Sequence, residues 1–209
     1  MGIDGGAGRD KTCWTVIDDK GIVDQLWKLT PNTMDICGQA IAWMSDYSIA
    51  PEDVAIDAGA GGKTIADRLR ELGHNVRAVY FGGAATKPPE KRIKSMKKKE
   101  KIHQDEIQKV YKNKRAEMYG LLRDAIDPIL QEEPFAIPEE LQDLRKELAI
   151  MPLMYDSEGK QFLPPKDRPP GNKNPDLITI KSMLGHSPDL ADSLVLANYA
   201  RKALVARML

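Results

Sequence analysis

Apolar and polar positions change their period repeatedly along the first part of the chain, and each change marks an element. Gly2-Ile3-Asp4 reads as a short strand almost at the first residue. Thr12–Ile17 (TCWTVI) is β-branched and aromatic, Asp18-Asp19-Lys20-Gly21 forms a tight turn, and Ile22–Leu29 alternates again, so the two runs predict a hairpin. Met34, Ile36, Cys37, Ile41 and Met44 then recur close to helical spacing between Thr33 and Tyr47, with Asn32 or Thr33 as cap. Val54-Ala55-Ile56 is a short buried strand, Thr64–Leu72 a helix stopped by Gly73, and Val76–Phe81 a further strand. The order β-β-β-α-β-α-β predicts an α/β fold with a mixed sheet, three antiparallel strands followed by parallel ones, and helices on both faces.

Beyond Phe81 the pattern loosens. Residues 82–112 hold glycines, prolines and most of a basic run, and read as a loop or arm. Asn113–Leu130 returns to helix, with Ala116, Tyr119, Leu122, Ala125 and Ile126 on one face. Glu147–Leu163 looks like a hairpin around Ser157-Glu158-Gly159, and Pro164–Pro175 is a proline-rich connector. The last helix runs from Pro188 to Leu209, with Ser187 as N-cap. No internal repeat interrupts this order.

Composition adds limits. A chain of 209 residues, 42% hydrophobic and 30% charged, suits one globular domain. Lys+Arg and Asp+Glu both total 31, so net charge favours no partner. Between Lys87 and Lys114, however, eleven basic residues face four acidic ones, which makes this stretch the candidate electrostatic surface. No apolar run approaches the roughly 20 residues that span a bilayer, and no signal pattern opens the chain; no membrane partner is expected. Cys13 and Cys37 stand alone and read as reduced core thiols, and His74, His103 and His186 lack ligand-like spacing.

Chemistry enters with VAIDAGAGGKTIADRL, Val54–Leu69. Its Gly62-Lys63-Thr64 invites a phosphate-loop reading, but that motif needs glycine five residues before Gly62, where Asp57 stands. Asp57 ends a short apolar strand and precedes small residues, as does Asp4 before Gly5-Gly6-Ala7-Gly8. Asp192 sits inside the apolar helix LADSLVLANYA, where a charge is costly unless compensated. Three acids from three elements suit a hard cation with open positions for water and phosphate. Each also has a plain reading: strand-end turn formers for Asp4 and Asp57, a solvent-facing position for Asp192, a first-turn acid at Asp189, the start of a strand at Asp10, and a solvated arm for the lysines.

Taken in order, GIDGGAGRDKT, AIDAGAGGKTIADRL and SPDLADSLVLA, with NKRAEMYGLLRDAI between the last two, resemble the nuclease domain of the large terminase subunit of tailed bacteriophages, a ribonuclease H-like group. The resemblance covers most of the chain. It implies a metal-dependent endonuclease that cuts double-stranded DNA with little sequence preference at the start and end of genome packaging, using two Mg²⁺ or Mn²⁺ ions. Asp4, Asp57 and Asp192 would be the catalytic metal ligands and Asp10 an extra acid near the ions. Lys63, Lys94, Lys97, Lys98, Lys99 and Lys101 would meet DNA phosphates, and either Lys166 or Lys181 would match a family lysine before the last helix. It further implies an upstream packaging ATPase, with residues 1–209 a single nuclease domain cut from a longer chain. The small terminase subunit and portal would be partners, the host cytoplasm the location, and the isolated domain a monomer. Rival readings are an actin-like or sugar-kinase-type ATPase fragment, which would need a second lobe, a Holliday-junction resolvase-like nuclease, and a non-catalytic DNA-binding module, which would not need the three acids.

Overall fold

The computed structural model describes residues 1–6, 8, 10–59, 61–86 and 111–208, the last seven of them as backbone only. Strands β1 (Gly2–Asp4), β2 (Thr12–Ile17), β3 (Ile22–Lys28), β4 (Ala55–Asp57) and β5 (Arg77–Val79) form one sheet in the order β3-β2-β1-β4-β5. The β1/β2 and β2/β3 pairs are antiparallel, whereas β1/β4 and β4/β5 are parallel. The mixed sheet expected from the sequence is therefore present, with α1 (Thr33–Asp46) and α2 (Gly62–Glu71) as its crossovers. Asn32 caps α1 by accepting the Met34 N–H at 2.9 Å.

Alternation along the strands builds a core on each face. Ile3, Trp14, Val16 and Ile56 pack under α1 and α2 against Ile36, Met44, Ile65 and Leu69. Their strand neighbours Cys13 and Ala55 turn to the other face, with Val79. There they meet Met118 and Leu122 of α3 (Lys114–Ile126), Leu144 of α4 (Gln142–Ile150) and Leu194 and Val195 of α6 (Asp189–Met208). Both cysteines are buried and free. Among the described residues no helix is long and apolar enough to cross a membrane.

Several boundaries differ from the sequence reading, each for a local reason. Glu147 begins no hairpin; it lies in α4, whose Leu144 and Leu148, four apart, pack toward α6. That helix has no side-chain cap at Leu141, so its start carries no sequence signal. The hairpin shrinks to β6 (Met154–Tyr155) and β7 (Gln161–Phe162). Helix α3 stops at Ile126 because Asp127, the residue before Pro128, is extended. A short α5 (Ile180–Leu184), set by a Thr179/Ser182 capping box, follows the connector. Helix α6 starts at Asp189, not Pro188, and Ser187 is not its side-chain cap, since its buried hydroxyl has no hydrogen-bond partner. Of the basic arm, residues 87–110 lie outside the described residues.

Helix α6 presses directly on β1. A Cβ at Gly2 would stand 2.0 Å from the Ser193 carbonyl oxygen and 2.3 Å from the Ala197 nitrogen. Gly2→Ala should therefore cost about 3 kcal/mol, the upper range for overpacking, read as a lower urea midpoint at unchanged m-value; an unchanged midpoint would show that β1 can shift away from α6.

Candidate active site

Parallel pairing of β1 with β4, Gly2 opposite Ala55 and Ile3 opposite Ile56, brings the carboxyl ends of both strands to one edge. Asp4 and Asp57 are the last residues of those strands, so continuing the register sets them level. This is the sheet edge at which open α/β folds place their crevices. Asp57 Oδ1 accepts the Gly59 N–H at 3.2 Å, and the Gly62 N–H goes back to the Gly59 carbonyl at 2.8 Å. A Cβ on Gly62 would meet the Asp57 carbonyl oxygen at 1.8 Å, which is why glycine opens α2. The loop thus folds on itself around a carboxylate instead of around phosphates. Lys63, at the start of α2, is exposed and ion-paired with Asp67.

Asp192 enters from α6 and is wholly buried. One oxygen, Oδ1, accepts the Tyr119 hydroxyl at 2.7 Å and the Arg115 guanidinium at 3.0 Å from Nη2 and 3.3 Å from Nε. Arg115 and Tyr119 lie four apart on α3 and so grip the carboxylate from one face. The other oxygen, Oδ2, is 3.2 Å from Lys166 Nζ. The same ammonium is 3.2 Å from Asp189 Oδ1 and 3.5 Å from Asp4 Oδ2. Asp189 Oδ2 also accepts the Lys11 N–H at 3.1 Å. The connector carrying Lys166 is held by α5, whose Ile180 and Lys181 N–H groups donate to the Pro165 and Lys166 carbonyls.

The electrostatics follow from this crowding. Burial pushes the Asp4 carboxyl well above the usual range; Lys166 opposes the shift, and Asp192, Asp189 and Asp57 reinforce it. Asp192 goes the other way: burial acts against it, but Arg115, Lys166 and the Tyr119 hydroxyl hold its carboxyl below the ordinary value. Burial also raises Asp57, with the Gly59 N–H countering. For Lys166, burial favours the neutral form and is outweighed by Asp192, Asp4 and Asp189, so the ammonium is held above its usual value. Among the described residues no three His, Cys, Asp or Glu side chains stand together as a ready metal-ligand set. The Lys166 ammonium stands among Asp4, Asp189 and Asp192. Beside it a cleft of about 300 Å³ opens between Asp57, Phe81, Asn113, Arg115, Pro165 and Lys166.

Three of the acids singled out in the sequence, Asp4, Asp57 and Asp192, thus interact at one locus. Asp10 is not joined to them by Lys166; its carboxylate is 3.7 Å from Lys181, which is 3.3 Å from Asp167. Of the two lysines left open, Lys166 is the one among the acids. Lys94, Lys97, Lys98, Lys99 and Lys101 lie outside the described residues. Sequence reasoning read Asp189 as a first-turn acid and Tyr119 as part of an apolar helix face, and did not single out Arg115. Asp189 had a signal, since it sits three residues before Asp192 on the same helix.

No protein-family model matches the chain, and no curated protein matches it at a significant level. Solved structures do. The nuclease domain of the large terminase subunit gp2 of bacterial virus Sf6 matches with a TM-score of 0.62 at 19% identity, over 95% of this chain and 88% of that one. A lysine-to-alanine mutant of that domain with manganese matches equally well, TM-score 0.62 at 19% identity, over 94% and 85%. The large terminase nuclease of thermophilic phage G20c gives a TM-score of 0.50 at 18% identity, over 95% and 79%. The chain has the fold of a phage large-terminase nuclease domain. Within that terminase-nuclease fold the acids meet where β1, β4 and α6 converge.

Two substitutions test the charge balance. Lys166→Ala should lower metal-free stability by about 2 kcal/mol, less than for a fully buried pair because the lysine is a third exposed. Added Mn²⁺ should then raise the melting temperature more than in the wild type; an equal shift would mean that Lys166 does not compete for the cation position. Asp192→Asn leaves the buried Arg115 charge uncompensated and should cost about 3 kcal/mol, read by urea unfolding. A neutral outcome would show that Arg115 finds another partner.

Proposed function

We propose that this chain is a metal-dependent endonuclease acting on double-stranded DNA, as the nuclease part of a phage genome-packaging enzyme. The observation that supports the reading is the convergence of Asp4, Asp189 and Asp192 on the ammonium of Lys166, with Asp57 lining the open cleft beside it, on a terminase-nuclease fold.

The donor set fits a hard divalent cation. Carboxylate oxygens are its preferred ligands, and among the described residues the ion-pair partners of Asp4, Asp189 and Asp192 are Lys166 and Arg115. Asp4, Asp57 and the Oδ2 side of Asp192 would hold the metal, with Asp189 beside them. Mg²⁺ or Mn²⁺ bound there, as one ion or a pair, would polarise a phosphoryl oxygen and lower the pKa of a bound water. Arg115 and Tyr119 hold Asp192 Oδ1, while Oδ2, which also takes a longer 3.4 Å bond from Arg115 Nη2, faces Lys166. Positive charge bound there would favour the ionised forms of Asp4 and Asp57 against the upward shift that burial gives both. Lys166 must withdraw its ammonium for a cation to enter. Its carbonyl is anchored to α5 while the side chain is partly exposed, so a rotamer change suffices.

DNA engagement would rest on phosphate contacts, consistent with cutting at many sequences. Lys63 and the lysines Lys94, Lys97, Lys98, Lys99 and Lys101 are the proposed contacts, with Asp10 a peripheral acid. The packaging ATPase, small terminase subunit and portal are the proposed partners, in the host cytoplasm.

Supercoiled plasmid incubated with Mn²⁺, Mg²⁺ or EDTA, wild type beside Asp57→Asn, decides the matter. Asp57 is the informative position because its hydrogen bonds come from the backbone N–H groups of Gly59 and Phe81, which an asparagine oxygen also accepts. Metal-dependent nicking and linearisation, reduced to the EDTA background in the variant, is the expected result. Absence of cleavage with either metal, or full activity in Asp57→Asn, would overturn the reading.

A further inference from the structure

Glu147 of α4 touches none of the clustered acids, yet it is as deeply buried as Asp192, both at 0% exposure. Its Oε2 accepts the backbone N–H of Ala191 at 2.8 Å across 44 residues of chain. Ala191 lies in the first turn of α6, between Asp189 and Asp192. First-turn N–H groups have no partner within their own helix. The nearby hydroxyl that could have served, on Ser187, is unbonded. A side chain from another helix therefore does the capping. The second Glu147 oxygen, Oε1, makes no hydrogen bond and stands 3.7 Å from His186 Nδ1, which is itself bonded to the Ser187 carbonyl at 2.7 Å. Only the Ala191 contact links Glu147 to the backbone of the turn.

That turn is what spaces the two α6 acids. Asp189 is steered by the Lys11 N–H and Asp192 by Arg115 and Tyr119, but these hold side chains. Leu144, on the same helix as Glu147 and buried in the core with Leu190 and Leu194, makes α4 a rigid support.

Resting on the nuclease reading above, we propose that Glu147 is a positioning residue of the candidate metal centre: by holding the Ala191 N–H it fixes the turn that presents Asp189 and Asp192. Burial pushes the Glu147 carboxyl up to about 8, and both its neutral and its ionised form keep an oxygen for the Ala191 N–H. The role is thus that of an acceptor, which glutamine can fill and methionine, of similar volume, cannot.

The test compares wild type, Glu147→Gln and Glu147→Met by amide hydrogen exchange of residues 189–192 without metal, and by calorimetric titration with Mn²⁺. Glu147→Gln should match the wild type in both. Glu147→Met should exchange about tenfold faster in that turn and bind Mn²⁺ about tenfold more weakly, the lower range for groups that orient metal ligands. Unchanged Mn²⁺ affinity in Glu147→Met, or a Glu147→Gln protein as impaired as Glu147→Met, would overturn the proposal. Should Glu147→Met not fold, Glu147→Gln decides alone: wild-type exchange and affinity support the acceptor role and their loss defeats it. A wild type that binds no Mn²⁺ and cuts no DNA would sink the nuclease reading and the centre with it. The exchange contrast would still report whether Glu147 holds the turn.

Discussion

A carboxylate buried in an apolar helix is the constraint on which this architecture turns. Asp192 has no solvent to stabilise it, and an isolated ion in such surroundings is prohibitively costly. Its neutralisation requires Arg115 and Tyr119 on α3 and Lys166 on the connector, so three segments distant in sequence must meet at one point. That requirement fixes how α3 lies against α6 and why the chain between β7 and α5 returns to the sheet edge. Lys114 and Arg115 donate their N–H groups to the Gly83 and Phe81 carbonyls, which ties the start of α3 to the loop after β5 beside Asp57.

The same crowding separates the behaviour of chemically identical groups. Asp4 and Asp192 share Lys166, yet one carboxyl is pushed up and the other held down. The difference lies in the second cation. Arg115 serves Asp192 alone, whereas Asp4 has only a share of Lys166 and sits among three other acids. Burial alone therefore does not set the ionisation of these carboxyls; the counter-charge each one has decides the direction.

Much of the sheet was legible from local pattern because strands and crossovers are decided locally. TCWTVI alternates, Asn32 caps, Gly73 stops a helix, and the β-β-β-α-β-α-β order leaves few topologies. Asp4 and Asp57 were visible for the same reason: a strand-end acid before small residues is a local motif. Asp192 stood out as a charge inside an apolar helix and Lys166 was one of two lysines the resemblance left open, but the groups that hold them were not legible. Arg115 and Tyr119 looked like one polar and one apolar position on an amphipathic helix, and only the packing of α3 on α6 turns them to the same carboxylate. Lys166 lay in a proline-rich connector without periodicity. Glu147 was read into a hairpin because its helix starts without a cap, and its acceptor role depends on a helix 44 residues away. Contacts of this range leave no trace in spacing.

The use of a lysine at the centre has a physical consequence that a second arginine would not share. A guanidinium would fork on a carboxylate in fixed geometry, as Arg115 does on Asp192, and would be difficult to displace. An ammonium on a flexible four-carbon stem is a point charge that can leave by rotation while the backbone stays in place. Pro165 and the Lys166 carbonyl are pinned to α5, so the connector need not move when the side chain does. The acids are therefore kept close together by a counter-charge on a flexible stem. This division, with Arg115 as the fixed counter-ion and Lys166 as the flexible one, holds a buried acid cluster together at the sheet edge.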